Sequence, residues 1–467
     1  MNKSIVLFCD GTWNKPEDEH GLVHPTNVLR FLRLLKPRDN EQHQVVYYDT
    51  GIGTGGPWDK YMGGAFGLGI SDNIMDAYRF LTNNWAEGDR IFMLGFSRGA
   101  YTVRSLAGFI HFMGLLHKES MPAFPLCYSY YKAFSKDRPG MKQAELVESL
   151  RTTIREAHRR PPIHFLGVWD TVGALGVAIP GLQSLSRNWV GFHNTQLSST
   201  IQHAVHALAI DETRSQFQPN LWTYPADPVE ADEEANGPAA GADQVLQVWF
   251  PGAHSDVGGG SADSDISDQA LTFMIAQARR HGLQFYEAAG DVAPDSPPVK
   301  WIINDEYKGV YRLTSRYYRP IGDQQRMDAG LELAVNEKIH ESTIQRLHAG
   351  GTFQNGDCLR EALRDGMAIY YERDAARITL PGNGKTGSII HVDFGAGSET
   401  GSQKQRLPCK ILDYSDRGAR IDCGDTAALR PGNVVQFQTD DQRVRSATVR
   451  WQHDSTAGIQ FNETPAA

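Results

Sequence analysis

Asp89-Arg-Ile-Phe-Met-Leu-Gly-Phe-Ser-Arg-Gly-Ala-Tyr-Thr-Val-Arg-Ser-Leu-Ala-Gly-Phe109 decides how the chain is read. Ile91, Phe92, Met93 and Leu94 form a short apolar run, as in a strand buried on both faces. Gly95-Phe-Ser-Arg-Gly99 follows at once, and then Val103, Leu106, Ala107 and Ile110 recur at helical spacing. Strand, G-x-S-x-G and helix in that order are the context of a nucleophile elbow. A turn that tight leaves no room for a Cβ two residues before or two after the serine, and glycine stands at both places. Ser97 is then held at a strand tip beside the positive end of a helix, where developing negative charge is favoured.

Working outward, other strand-like runs also end in polar residues. Ser4 to Cys9 leads into Asp10-Gly11-Thr12, Ile163 to Trp169 into Asp170-Thr171, and Val245 to Phe250 into Pro251-Gly-Ala-His254-Ser-Asp256. Gln44 to Tyr48 is a further strand. Helical spacing marks Asn27 to Leu35, Asp72 to Trp85, 101–116, 143–158, Thr200 to Leu208 and Asp268 to His281. Alternating strands and helices predict an α/β domain with a mostly parallel sheet. In such a sheet, chemistry collects at the carboxyl ends of the strands, where Asp10, Ser97, Asp170 and His254 all fall.

A serine hydroxyl needs a base to take its proton, and the base needs an acid to hold its tautomer. Ser97, Asp170 and His254 follow the chain order serine, acid, histidine. His254 is preferred among 16 histidines because glycines on both sides of it suit a functional loop. His203 and His206, on the expected apolar helix, read as packing residues. Asp256 is the rival for the acid. The backbone N–H of Arg98 is one expected oxyanion donor, and Gly11 or Thr12 the second. Asp10 either orients the site or binds a cation.

The formal net charge of −9 argues against nucleic acid and against electrostatic attraction to anionic membranes. Five scattered cysteines without a C-x-x-C pair argue for a reducing compartment and no structural metal. Neither a signal peptide nor a membrane span is visible, so a cytoplasmic location is expected. The glycine-rich Asp49 to Gly56 lacks the Gly-Lys-Ser/Thr of a phosphate loop, and Ala226 to Gln244 reads as a solvated acidic loop. Aromatic and apolar stretches at Tyr61 to Ile70, 121–134 and Leu175 to Trp189 read first as packing, with lipid contact as the alternative. From about residue 374 the pattern becomes short strands at 388–394, 407–413, 417–422, 433–438, 444–452 and 457–461, as in a small β-barrel. The expected division is a catalytic domain over 1–350, a connecting helix over 351–373 and a barrel over 374–467.

Five stretches extend the pattern beyond spacing: Phe8 to Asn14, Gly95 to Gly108, Gly167 to Gly176, His206 to Arg214 and Trp249 to Gly260. Together they resemble the DUF2235 family of α/β-hydrolases, which includes the Tle1-type phospholipase effectors of type VI secretion. The resemblance covers roughly 1–345. It implies a serine esterase acting on acyl esters, plausibly of glycerophospholipids, with no cofactor required. Ser97 and His254 match the family's nucleophile and base, and Asp170 its Trp-Asp-Thr motif. Export by the secretion machinery, and an immunity protein as partner, are further implications.

The C-terminal part resembles a PilZ domain, a receptor for cyclic di-GMP. Asp413-Tyr-Ser415-Asp-Arg-Gly418 fits that family's D-x-S-x-x-G, and Arg373-Asp-Ala-Ala-Arg377 its R-x-x-x-R. Two arginines one helical turn apart can clamp phosphates and guanine edges. The expected function is a serine esterase regulated by this nucleotide. The alternative is a non-catalytic, nucleotide-responsive signalling protein on a hydrolase scaffold.

Overall fold

A computed structural model describes residues 2–11, 24–38, 43–51, 66–134, 160–172, 200–224 and 244–371, apart from 262–263, 291 and 293–295. Beyond these it describes the strands of the C-terminal unit given below, with Leu429. The chain divides into two compact units, Met1–Tyr371 and Glu372–Ala467.

The first unit is built on eight strands: β1 (Ser4–Cys9), β2 (Gln44–Asp49), β3 (Arg90–Phe96), β4 (Ile163–Trp169), β5 (Ala204–Ala209), β6 (Val245–Phe250), β7 (Glu337–His340) and β8 (Ile369–Tyr370). They lie in the order β2-β1-β3-β4-β5-β6-β7-β8, and every pairing is parallel. The helices are α1 (Asn27–Leu34), α2 (Phe66–Asn84), α3 (Arg98–Met113), α4 (Phe124–Phe134), α5 (His254–Gly258), α6 (Asp265–Arg280), α7 (Asp323–Asp328), α8 (Glu341–His348) and α9 (Gly356–Arg364).

Side chains alternate across the sheet, so each strand serves two cores. Ile5, Leu7, Ile91 and Met93 pack with Ile74 and Leu81 of α2 and Val103 and Leu106 of α3. On the other face the Phe8 ring meets Phe31 of α1, the Trp169 indole N–H donates to Ala270 O of α6, and Phe250 meets Phe273. With both faces covered, β1 and β5 are buried at every position.

That double burial explains the main departure from the sequence reading. Residues 200–208 were expected to be helical, but Ala204–Ala209 is strand β5, paired between β4 and β6. Ile201, Ala204, Val205 and Leu208 happen to repeat at helical spacing, and a strand apolar on both sides has no two-residue alternation to set against it. His206 is therefore a strand residue, fully buried, whose Nε2 accepts the Thr171 N–H at 3.0 Å. Burial, reinforced by the nearby Arg104, pushes its imidazole down to about 3. The stretch 351–373, expected to be a connector, instead supplies α9 and edge strand β8 to the first unit. The expected helix at 143–158, the acidic loop and the apolar stretch 175–189 lie outside the described residues. In α4, Phe124 and Tyr128 are buried against Phe109, as packing residues.

The second unit is antiparallel: β9 (Ile378–Thr379), β10 (Thr386–Asp393), β11 (Leu407–Ser415), β12 (Gly418–Asp422), β13 (Val434–Thr439), β14 (Val444–His453) and β15 (Thr456–Phe461). Their order is β10-β13-β14-β15-β12-β11-β9, and β10 pairs with β11 as well as with β13. Asp413 and Ser415 lie on β11 and Gly418 on β12, with Ser415 in register with Gly418. Arg373 and Arg377 lie outside the described residues.

Candidate active site

Strand β3 ends at Phe96 and α3 begins at Arg98, which leaves Ser97 alone at the turn with φ 56° and ψ −120°. A positive φ on a non-glycine residue is strained, and strain of this kind gathers at functional sites. Neighbouring backbone enforces it. A Cβ on Gly95 would come within 2.6 Å of Gly99 O, and a Cβ on Gly99 would overlap the carbonyls of Cys9 and Asp10. The Ser97 N–H donates to Trp169 O at 3.1 Å, tying the elbow to the end of β4.

The next residue after β4 is Asp170, also at positive φ (35°) and fully buried. After β6, Gly252 turns the chain at φ 113° and α5 starts at His254. Of the three glycines that follow, Gly258 leaves room for the Phe96 ring, and Gly259, at φ 80°, packs against Thr26 and Asn27. Phe96 in turn lies against the His254 imidazole at a centroid distance of 4.6 Å, with the Phe217 ring on another side at 5.1 Å.

Three strand ends thus bring three side chains together. His254 Nε2 is 2.9 Å from Ser97 Oγ, and His254 Nδ1 is 2.7 Å from Asp170 Oδ2. Burial alone would raise the Asp170 carboxyl, but the Arg319 guanidinium and the imidazole beside it hold it well below the usual carboxylate range. An ionised carboxylate only accepts, so Nδ1 carries the proton and Nε2 is left to accept from the serine hydroxyl.

Asp256, the rival acid, faces elsewhere. Its Oδ2 accepts from Ala253 N at 2.9 Å and Asn304 N at 3.0 Å, and its Oδ1 from Asn304 Nδ2 at 2.5 Å. It caps the turn that carries His254, and burial pushes it up to about 6 against those hydrogen bonds. Asp10 is likewise committed: Oδ1 accepts from Gly11 N at 2.6 Å, and Oδ2 from Thr26 Oγ1 at 2.7 Å and Tyr48 OH at 2.9 Å. The Gly11 N–H, one of the two expected second oxyanion donors, is therefore engaged by Asp10, and Thr12 lies outside the described residues. Arg98 N is the first amide of α3. Among the described residues no group of three or more His, Cys, Asp or Glu could hold a metal ion.

Sequence reasoning missed four charged residues. Asp211 Oδ2 accepts from Gly252 N at 2.8 Å and its Oδ1 from Gln354 N at 2.6 Å, which fixes the histidine loop. Glu212 accepts from Arg214 Nε at 2.9 Å, and Arg214 also pairs with Glu306 at 2.7 Å while stacking on Phe217. The fourth is Arg319, whose Nη1 and Nη2 reach Asp170 Oδ1 at 2.7 Å and Oδ2 at 3.0 Å. Asp211, Glu212 and Arg214 sit in a stretch already singled out, His206 to Arg214. Nothing in the spacing around Arg319 marks it.

Comparison with known proteins places the chain in a family. The model of the T6SS phospholipase effector Tle1-like catalytic domain matches residues 3–277. The chain belongs to that family. This Tle1-like domain is 30% identical over 238 residues to the uncharacterized protein YEL023C of Saccharomyces cerevisiae, covering 47% of this chain and 33% of that protein. The chain therefore spans about a third of the length of the curated relative it matches. Among solved structures, it is similar to the Tle1 effector bound to the VgrG spike from the type 6 secretion system, with TM-score 0.31 and 18% identity over 56% of this chain and 52% of that one. An uncharacterized protein from Pseudomonas aeruginosa is similar with TM-score 0.37 and 13% identity, over 99% of this chain and 87% of that one. No helix among the described residues of the Tle1-like chain is long and apolar enough to cross a membrane.

Proposed function

We propose that the chain is a serine esterase of phospholipase type that hydrolyses acyl esters of glycerophospholipids. The observation that carries this reading is the unbroken line Ser97 Oγ, His254 Nε2, His254 Nδ1, Asp170 Oδ2 at 2.9 and 2.7 Å. Ser97 Oγ attacks the acyl carbonyl while Nε2 takes its proton, and Asp170 holds the imidazolium that forms. The tetrahedral oxyanion accepts from Arg98 N–H at the positive end of α3. Collapse expels the alcohol, which takes the proton back from His254. A water molecule, activated by the same imidazole, then frees the fatty acid and restores Ser97.

Family membership supports a phospholipid as the ester and delivery by a type VI secretion machine. An immunity protein is the further partner expected of such an effector. In the second unit, Asp413, Ser415 and Gly418 sit together on the β11–β12 hairpin. With the closing β10–β11 pairing, this supports a small PilZ-like barrel that binds cyclic di-GMP and regulates the hydrolase.

Turnover of short p-nitrophenyl esters and of mixed phospholipid vesicles, the latter read by mass spectrometry, tests the enzyme. Wild type releases fatty acid and Ser97→Ala does not. Equal rates would leave only the non-catalytic reading. For the nucleotide, calorimetry compares wild type with Arg373→Ala/Arg377→Ala. Binding that persists unchanged in the double variant would remove the arginine clamp.

A further inference from the structure

We propose that Arg319 is a positioning residue of the site, one that locks the Asp170 carboxylate in the orientation His254 needs. The inference rests on the hydrolase reading above and adds to it a residue beyond position 277, where the family match ends.

Each Asp170 oxygen accepts two hydrogen bonds. Oδ1 accepts from Arg319 Nη1 at 2.7 Å and Ala209 N at 3.0 Å, while Oδ2 accepts from Arg319 Nη2 at 3.0 Å and His254 Nδ1 at 2.7 Å. Four donors fill the carboxylate's acceptor sites, so it has no second orientation of equal energy. Both side chains are wholly buried, where a planar fork matches a carboxylate as no ammonium can. The same two amino groups donate to Ala209 O at 2.7 Å and Phe217 O at 2.6 Å. Phe217 is the residue whose ring flanks the imidazole. One guanidinium therefore holds both the acid that orients His254 and a wall of its pocket.

The arginine is itself anchored. Tyr317 N donates to Thr213 O at 2.8 Å, Arg316 bridges Arg214, and Arg319 O accepts from Asn355 Nδ2 at 2.9 Å. It also has an electrostatic effect. Its positive charge beside Asp170 offsets part of the field with which that carboxylate favours a protonated imidazole. Without it, the acid limb of the rate profile moves to higher pH.

A double-mutant cycle in the full-length protein tests the role, with melting temperature recorded for every variant. The members are wild type, Arg319→Met, Asp170→Asn and Asp170→Asn/Arg319→Met, with Arg319→Lys beside them. Arg319→Met is expected to lower kcat about 100-fold with KM little changed, the loss typical of a reacting group set slightly out of place. Its acid limb shifts upward. Arg319→Lys returns the limb toward the wild-type position and recovers only part of kcat, because it restores charge without the fork. On the Asp170→Asn background, Arg319→Met changes kcat no further.

If Arg319→Met does not fold, Asp170→Asn against the double variant, in which both buried charges are gone, still shows whether Arg319 acts on kcat other than through Asp170, and a further loss there overturns the role. Wild-type kcat in Arg319→Met, or an undiminished loss on the Asp170→Asn background, would overturn the role. Equal rates in wild type and Ser97→Ala would instead sink the hydrolase reading, and the role of Arg319 with it.

Discussion

Both ends of the parallel sheet gather imidazoles, and they treat them in opposite ways. At the carboxyl end, His254 lies between Ser97 and an Asp170 kept ionised by Arg319, so a positive charge arising on the ring has a counter-charge waiting. At the amino end, His203 lies flat against His281 at 3.8 Å, and His164 Nε2 is 3.1 Å from His281 O. There, burial and the neighbouring imidazoles push His281 down to about 4, and His203 is lowered as well. One end is arranged to tolerate the protonated ring and the other to exclude it. His254 is buried and the amino-end rings are partly so, and in neither case does withdrawal from water say anything about chemistry until the charges around the ring are counted.

The most severe way to break this contrast is to remove the counter-charge. Asp170→Asn is expected to lower kcat on the order of 10⁴-fold, the scale seen when a triad acid loses its charge. It also strands the Arg319 guanidinium in the interior at a cost of about 3–5 kcal/mol, to be read from urea unfolding. A variant retaining near-wild-type turnover would mean that His254 needs no counter-charge, and the two ends of the sheet would then be equivalent.

Much of the carboxyl end was legible in advance. Ser97 and Asp170 follow an apolar run at once and His254 lies four residues past the end of one, and glycines flank the serine and the histidine. The structure shows that Gly95, Gly99 and Gly258 stand where a side chain would collide. Residues of that kind are chosen by local backbone geometry, and local geometry leaves a trace in the sequence. Arg319 leaves none. It reaches Asp170 from an irregular segment 149 residues away, and its role is set entirely by tertiary contacts. Strand β5 was misread for a related reason: a strand covered on both faces has lost the alternation that would distinguish it from a helix. Asp211 and Glu212 lay in a recognisable stretch, but only the fold shows that they brace the Gly252 to His254 turn.

Backbone contact at the elbow gives the next effect in size. Gly99→Ala would drive a methyl group into the Cys9 and Asp10 carbonyls, separating α3 from β1. A loss of about 3 kcal/mol is expected by denaturant unfolding, with esterase activity falling as Ser97 shifts. Asp256→Asn is milder. Burial raises Asp256 to about 6 in the folded chain. What that raised carboxyl contributes to stability is therefore fully present below its unfolded value and lost as pH rises through about 6. Asparagine does not ionise, so the variant gains on wild type by on the order of 1–2 kcal/mol between acid and neutral pH. Its turnover should stay close to wild type, in contrast to Asp170→Asn. Comparable losses in the two variants would return Asp256 to contention as the acid.

The smallest effect probes the amino end itself. His281 is lowered, so between its ordinary value and about 4 the unfolded chain binds a proton that the folded chain refuses. Stability at this position is therefore complete above about 6.5 and lost as pH falls toward 4. Because the ring is partly exposed and screened, the change is held below about 1 kcal/mol. His281→Gln removes the proton acceptor, so the drop in melting temperature between neutral and mildly acid pH should shrink in the variant. The rate constants of the ester reaction at neutral pH should not move, since the ring lies at the far end of the strands from Ser97. A variant whose melting temperature falls with acid as steeply as that of wild type would mean that the stacked rings accept protons in place. The two ends of the sheet would then differ in their neighbours without differing in the charge they tolerate.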